Sequence, residues 1–322
     1  MLWFSGGLAM FLVGMVWMRQ GVEQLGQKRL RSILSHTAGR KFGAVFSGFL
    51  VTLLLQSSSA TTVILVGLVA MDAIGLRAAV AMLLGANVGT TVTAQLIRLM
   101  DVHSAGWLLQ IFQAQQLAPL LWIVGGILIV FRQGTRPQAI GLATVGLGLL
   151  FTGILTMRQA VTPLLDAGWF SSVFDATVRN PLAAFAAGLG VALLVQSSSA
   201  AVGILQSLCV GESAPVFWQV WPILLGISIG GALATSLLCQ IRATGNAKRT
   251  AIAFLLINVL GALCNLLMVL LLRVCGAFVW DTAMDAGRIA DLHTFFRLSS
   301  AIVLYPLLEQ LDSFLMRFGQ DA

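Results

Sequence analysis

Long apolar blocks separated by short polar ones run from end to end of this chain. They predict spanning helices over Leu2 to Met18, Ala78 to Leu99, Trp107 to Phe131, Gln138 to Met157, Val216 to Ile241, Ala251 to Arg273 and roughly Thr294 to Leu308. Two further blocks are shorter. Phe42 to Leu55 has 14 residues, about 21 Å of helix, against a hydrocarbon core of ~30 Å; Leu182 to Val195 is its equal. Each ends in the same polar pentapeptide, Gln56-Ser57-Ser58-Ser59-Ala60 and Gln196-Ser197-Ser198-Ser199-Ala200. Polar side chains and freed backbone groups are costly at bilayer depth unless they line a cavity or a ligand site. Each pentapeptide is therefore expected at the tip of a re-entrant helical hairpin.

The repeat is wider than the pentapeptides. At the same shift of 140, Gly48 falls on Gly188 and Thr37 on Thr177; one residue of slippage brings Met18-Arg19-Gln20-Gly21-Val22 onto Met157-Arg158-Gln159-Ala160-Val161. Downstream, Gly85-Ala86-Asn87-Val88-Gly89-Thr90-Thr91 lies opposite Gly226-Ile227-Ser228-Ile229-Gly230-Gly231-Ala232, which keeps the glycines and loses most of the polar atoms. Two halves follow, 1–135 and 136–322. The expected fold is an all-α polytopic membrane protein of two repeats, each with a re-entrant hairpin and an interrupted transmembrane helix.

Composition agrees: 58% of residues are hydrophobic and 10% charged, too few charges for a soluble surface. The net charge of +7 is then no nucleic-acid footprint. Arg19, Lys28, Arg29, Arg31, Arg40 and Lys41 crowd residues 19–41 against Glu23 alone, which reads as a cytoplasmic loop with the N-terminus outside. With the hairpins not crossing, Arg132, Arg136, Arg242, Lys248 and Arg249 fall on the same side; residues 158–180 and the acidic Asp281, Asp285 and Asp291 fall on the other. Three spans separate the two repeat starts, and an odd number makes the repeats inverted, a secondary-transporter architecture. Leu2 to Met18 lacks a basic leader and cleavage site and reads as a retained helix. Cys209, Cys239, Cys264 and Cys275 show no metal or disulfide spacing and are expected to pack.

The run Gln56 to Thr62, then Val66-Gly67-Leu68-Val69 and Gly85 to Ala94, resembles the type II sodium/phosphate cotransporter family. The resemblance continues through Gln196 to Ala200, Asn246 to Ala251 and His293-Thr294-Phe295-Phe296, and so covers essentially the whole chain. It implies a sodium-coupled inorganic phosphate symporter of the bacterial inner membrane, whose paired hairpins form the substrate site. Many bacterial relatives add a PhoU-like regulatory domain; the sequence stops at Ala322, and a chain without one is expected. One departure is Arg297, where the family's pattern has Asn.

The chemistry of the residues fits. A hairpin tip presents the N-terminus of its second arm, where unpaired N–H groups and the helix dipole favour an anion. Gln56, Ser57, Ser58, Ser59, Gln196, Ser197, Ser198 and Ser199 are the candidate phosphate residues, able to wrap a tetrahedral oxyanion without lysine or arginine. Sodium, the expected coupling ion, needs hard oxygens; Thr61, Thr62, Asn87, Thr90, Thr91 and Ser228 are the candidates, with the second half poorer because Gly231 and Ala232 offer no side-chain oxygen. Coupling has an energetic motive, since moving a divalent phosphate inward against 100 mV costs about 4.6 kcal/mol.

Asn258 and Asn265, seven apart on one helix face, are expected to bridge helices. His293 reads as structural or gating, and His36 and His103 as loop residues. No cofactor is expected; the partners are phosphate, sodium, the bilayer and, as the candidate assembly, a second copy of the chain. A carrier of another oxyanion and a phosphate exporter remain as alternatives. A membrane polyprenyl-pyrophosphate phosphatase is remote, because neither pentapeptide has an acid, base or basic residue close in sequence.

Overall fold

The computed structural model describes residues 2–37, 40–98, 114–132, 134–166, 176, 179–209, 214–241, 243–276 and 280–317. Among these residues there are thirteen named helices and no strand: α1 (Leu2–Thr37), α2 (Lys41–Leu55), α3 (Ser58–Ala70), α4 (Leu76–Gly89), α5 (Thr91–Arg98), α6 (Ala114–Phe131), α7 (Thr135–Asp166), α8 (Pro181–Val195), α9 (Ser198–Leu208), α10 (Phe217–Gln240), α11 (Gly245–Val274), α12 (Ala286–Leu304) and α13 (Leu308–Arg317). Among the described residues five stretches are long and apolar enough to cross a membrane: Leu2–Leu25, Leu76–Arg98, Thr135–Val161, Phe217–Gln240 and Gly245–Val274. The chain is a multi-pass membrane protein.

Several boundaries differ from those the sequence suggests. Residues 19–37, expected as a loop, continue α1. The basic run forbids burial in lipid but not a helix: Gln, Leu, Lys and Arg are good helix formers, and Arg19 pairs with Glu23 one turn on at 3.8 Å. His36 thus lies in a helix, while His103 and the start of the expected span Trp107–Phe131 lie outside the described residues. The expected span Thr294–Leu308 is instead the end of α12 and a turn into α13, with Pro306 between them unable to donate a backbone bond. With Arg288, Asp291 and Arg297 in nineteen residues, α12 is not among the five long apolar stretches.

Close glycine packing holds the halves together. A Cβ on Gly7 would lie 2.8 Å from the Gly153 carbonyl oxygen, one on Gly14 2.6 Å from that of Gly146, and one on Gly21 2.4 Å from that of Ala139. As α1 advances its partner residue in α7 recedes, so the two helices are antiparallel. The contacts are also reciprocal. A shift of 139 carries Gly7 to Gly146 and Gly14 to Gly153, so the pair Gly7 and Gly153 becomes the pair Gly146 and Gly14.

The hairpin arms repeat the device. Gly48 meets the Met82 carbonyl and Gly188 the Ile223 carbonyl; Gly85 meets Val45 and Gly226 meets Phe185; Gly89 meets Phe49 and Gly230 meets Leu189. Each of these three glycine contacts of α2 with α4 has its counterpart between α8 and α10. Backbones this close have no room for a side chain, which is how small residues drive helix association in lipid.

Both arms of the first hairpin begin and end on one face. Lys41, at the start of α2, and Arg77, just after α3 returns, reach the same Glu309 carboxylate at 3.9 and 2.5 Å. The arms have 15 and 13 residues, roughly 22 and 20 Å, short of a bilayer core. In the second hairpin Asn180 caps α8, its Oδ1 accepting from Leu182 N–H at 3.0 Å with Pro181 behind it.

Candidate functional site

Each tip is built by two residues. Gln56 (φ 52°, ψ 24°) and Gln196 (φ 54°, ψ 27°) are left-handed and end the first arm; Ser57 (φ −152°, ψ 109°) and Ser197 (φ −151°, ψ 115°) are extended and start the second. A non-glycine residue in the left-handed region costs energy, and it is held here twice. The two serines are N-caps: Ser57 Oγ accepts from Ala60 N–H at 3.1 Å and Ser197 Oγ from Ala200 N–H at 3.2 Å. The earlier N–H groups, those of Ser58 and Ser59 and of Ser198 and Ser199, precede any intrahelical acceptor. Ser58 and Ser198 are buried at 5% and 7% exposure, and among the described residues neither side chain has a protein hydrogen-bond partner. Two matched sets of free donors result, each at a helix N-terminus, which is anion-binding geometry.

The tips meet one turn of α10. Ser59 Oγ lies 2.7 Å from Thr235 Oγ1, which also contacts the Gly231 carbonyl at 2.9 Å. A Cβ on Gly231 would lie 2.9 Å from Ser198 Cβ. Gly231 and Thr235 are four residues apart, about 6 Å. The missing side chain at Gly231, read from sequence as a lost oxygen, is what admits the second tip.

Behind the first tip stands an oxygen cluster. Thr61 Oγ1 donates to the Ser57 carbonyl at 3.0 Å, Thr62 to Ser58 at 2.8 Å, Thr90 to Asn87 at 2.6 Å and Thr91 to Val88 at 2.9 Å. Each hydroxyl spends its hydrogen on a carbonyl, so what it offers outward is lone pairs, suited to a hard cation, except that Thr61 Oγ1 already accepts from Thr52 Oγ1 at 2.8 Å. The same side-chain bonds draw on the carbonyls around Thr90, where α4 and α5 part. The expected counterpart break in the second half is absent: α10 runs unbroken from Phe217 to Gln240, with Gly231 and Ala232 where the first half has Thr90 and Thr91.

The candidate cation residues divide in two. Asn87 and Ser228, counterparts in the two halves, line one cavity together with Asn258, Asn265 and Arg297; its free space, about 10 Å³, takes one water-sized occupant. Asn265 bridges α11 to α12 as expected, donating to the Phe296 carbonyl at 3.1 Å and to Ser300 Oγ at 2.8 Å. Asn258 does more. Its Nδ2 donates to Asn87 Oδ1 at 3.4 Å and its Oδ1 accepts from Arg297 Nη1 at 2.6 Å.

Arg297, marked in the sequence only as a departure from the family's pattern, belongs to this cavity. Arg297 is 6% exposed, and its Nε points at His293 Nε2, 3.4 Å away. Thr93, which donates to Gln56 Oε1 at 2.7 Å, and Thr235 were unmarked in the sequence. A signal existed for the arginine, since an ionisable residue among apolar ones at membrane depth is a functional hypothesis by default. For the two threonines none did.

The comparisons with known proteins divide the chain in two as well, at a different point from the expected 135/136 boundary. A family model described as Na+/Pi-cotransporter matches residues 10–159 and again 160–279. The protein printed as "Putative inorganic phosphate export protein YjbB" of Escherichia coli K12 is 29% identical over 318 residues, 98% of this chain and 55% of that protein. The uncharacterized protein YqeW of Bacillus subtilis is 27% identical over 94% of this chain and 93% of its own length. Sodium-dependent phosphate transport protein 2B of Homo sapiens is 46% identical over 55 residues, 17% of this chain and 8% of that protein. The chain spans about half the length of the YjbB relatives. No solved structure matches it significantly.

Proposed function

The chain belongs to the Na+/Pi-cotransporter family, and from that premise we propose that it carries inorganic phosphate across the bacterial inner membrane, coupled to sodium, by alternating access of two inverted repeats, 1–135 and 136–322. The carrying observation is the pair of tips. Two helix N-termini with matched backbone, unpartnered Ser58 and Ser198 hydroxyls and free N–H groups converge on one turn of α10. Phosphate is the anion that the names of the YjbB relatives and of the human protein share. Gln56, Ser57, Ser59, Gln196, Ser197 and Ser199 complete the phosphate set. Thr61, Thr62, Thr90 and Thr91 supply sodium oxygens behind the first tip.

The antiparallel and reciprocal packing of α1 on α7 supports inversion, because a two-fold axis in the membrane plane relates helices in that way. The basic stretch 19–41 supports a cytoplasmic position for that end.

Export is the second reading, favoured by the YjbB name. An inside-negative potential that opposes anion entry by about 4.6 kcal/mol for a divalent phosphate helps its exit by as much. Counterflow of labelled phosphate in proteoliposomes, in sodium or in choline, tests the proposal. Phosphate exchange stimulated by sodium is expected. Exchange indifferent to sodium removes the coupling, and sulfate or arsenate exchanging in preference to phosphate removes the substrate.

A further inference from the structure

Arg297 is a buried cation without a counter-ion. Among the described residues no carboxylate pairs with it; its partners are neutral, the Asn258 amide at 2.6 Å and the His293 ring at 3.4 Å. His293 is itself 2% exposed with Nδ1 lacking a partner. A guanidinium stays charged at any physiological pH, and a structural arginine in such a place is ordinarily paired with an acid or extended to water. This one is instead directed into the cavity where Asn87 and Ser228, equivalent residues of the two halves, come together.

The two amide oxygens that would hold a sodium ion there, those of Asn87 and Asn258, already accept a hydrogen bond each. Asn87 Oδ1 accepts from Asn258, and Asn258 Oδ1 accepts from Arg297. A relay of arginine to amide to amide thus engages Asn87, and of the candidate cation residues in this cavity leaves only the Ser228 hydroxyl outside it. A like charge a few ångström away opposes any second cation in the same cavity.

We infer that the Arg297 guanidinium takes the place of one coupling cation: the protein supplies, permanently, the positive charge that a sodium ion would bring to the Asn87, Ser228 and Asn258 cavity. It presupposes the sodium-coupled phosphate transport proposed above and narrows it to the threonine cluster behind the first tip. The consequence is directional. A fixed charge stays with the protein, so each phosphate moves with one sodium fewer and the cycle carries one more unit of negative charge, which an inside-negative potential drives outward.

The test is sodium binding, read without transport. Thermal unfolding of the purified protein is titrated with sodium chloride against choline chloride at constant ionic strength, for wild type, Arg297→Asn and Arg297→Lys. Arg297→Asn removes the charge and adds an amide oxygen, and is expected to lower the sodium concentration for half-maximal stabilisation at least about tenfold, the scale of a neighbouring like charge removed. Arg297→Lys should match wild type. Arg297→Gln gives the same readout where the asparagine variant does not yield folded protein. In phosphate counterflow the sodium-activation order should rise by one in the neutral variants. An unchanged sodium response in Arg297→Asn and Arg297→Gln overturns the inference, as does loss of phosphate counterflow that sodium does not restore, which makes Arg297 a direct phosphate ligand. Absence of any phosphate exchange by wild type would instead remove the phosphate proposal, leaving the stabilisation titration to decide the role of Arg297.

Discussion

The two hairpin tips have the same backbone and different company. Their four defining torsions agree within a few degrees, and both cap the second arm with a serine. Yet Gln56 is half-buried and held by Thr93, while Gln196 is exposed and the counterpart of Thr93 is Ala234. Along the chain the first tip is followed by Asn87, Thr90 and Thr91 and the second by Ser228, Gly231 and Ala232. The donor side of the site is duplicated and the acceptor side is not. Evolution of a repeat can let side chains diverge while the backbone stays, because the backbone is held by glycine contacts that tolerate no substituent, whereas an oxygen facing a cavity can be lost without moving a helix.

The equivalence of the frames is the easiest part to break. Gly85→Ala would put a Cβ 1.8 Å from the Val45 carbonyl and Gly226→Ala one 2.1 Å from that of Phe185. Backbone must then shift, and a loss of about 3 kcal/mol is expected for each, at the upper end of overpacking costs, read as a fall in unfolding temperature. A large loss at only one position would show that the halves are packed differently.

Next in size are the tips. Ser58→Ala and Ser198→Ala should each lower apparent phosphate affinity in counterflow about 10- to 100-fold, the value of one hydrogen bond to a charged group, without change in insertion or unfolding temperature. Equal losses confirm a shared anion site; wild-type kinetics in either variant would take that tip out of it. The smallest effect sharpens the asymmetry. Gln56→Ala loses its bond from Thr93 and should cost about 1 kcal/mol in thermal stability, whereas Gln196→Ala should leave the unfolding temperature unchanged.

How much of this was legible in the chain can be read from particular residues. The short arms and polar tips announced hairpins because length and hydropathy are local properties, and α2, α3, α8 and α9 fall where they pointed. The polar helix over 19–37 was missed because a charge run signals solvent and says nothing against helix. The unbroken α10 was missed because the shared glycines carried the expectation of a break from the first half to the second, although the residues at the break, Thr90 and Thr91, are not kept there.

Membrane residence, helical class, two halves and the location of the candidate donors were determined by the sequence alone, since each follows from composition, periodicity or repetition along one dimension. Tertiary structure decided the rest. Only the folding of α4, α10, α11 and α12 onto one another brings Asn87, Ser228, Asn258 and Arg297, up to 210 positions apart in the chain, around one cavity. Only the Ser59–Thr235 hydrogen bond and the bare Gly231 against Ser198 place both tips on one turn of α10. Proximity between distant segments depends on helix packing, and in this protein packing is governed by where side chains are absent.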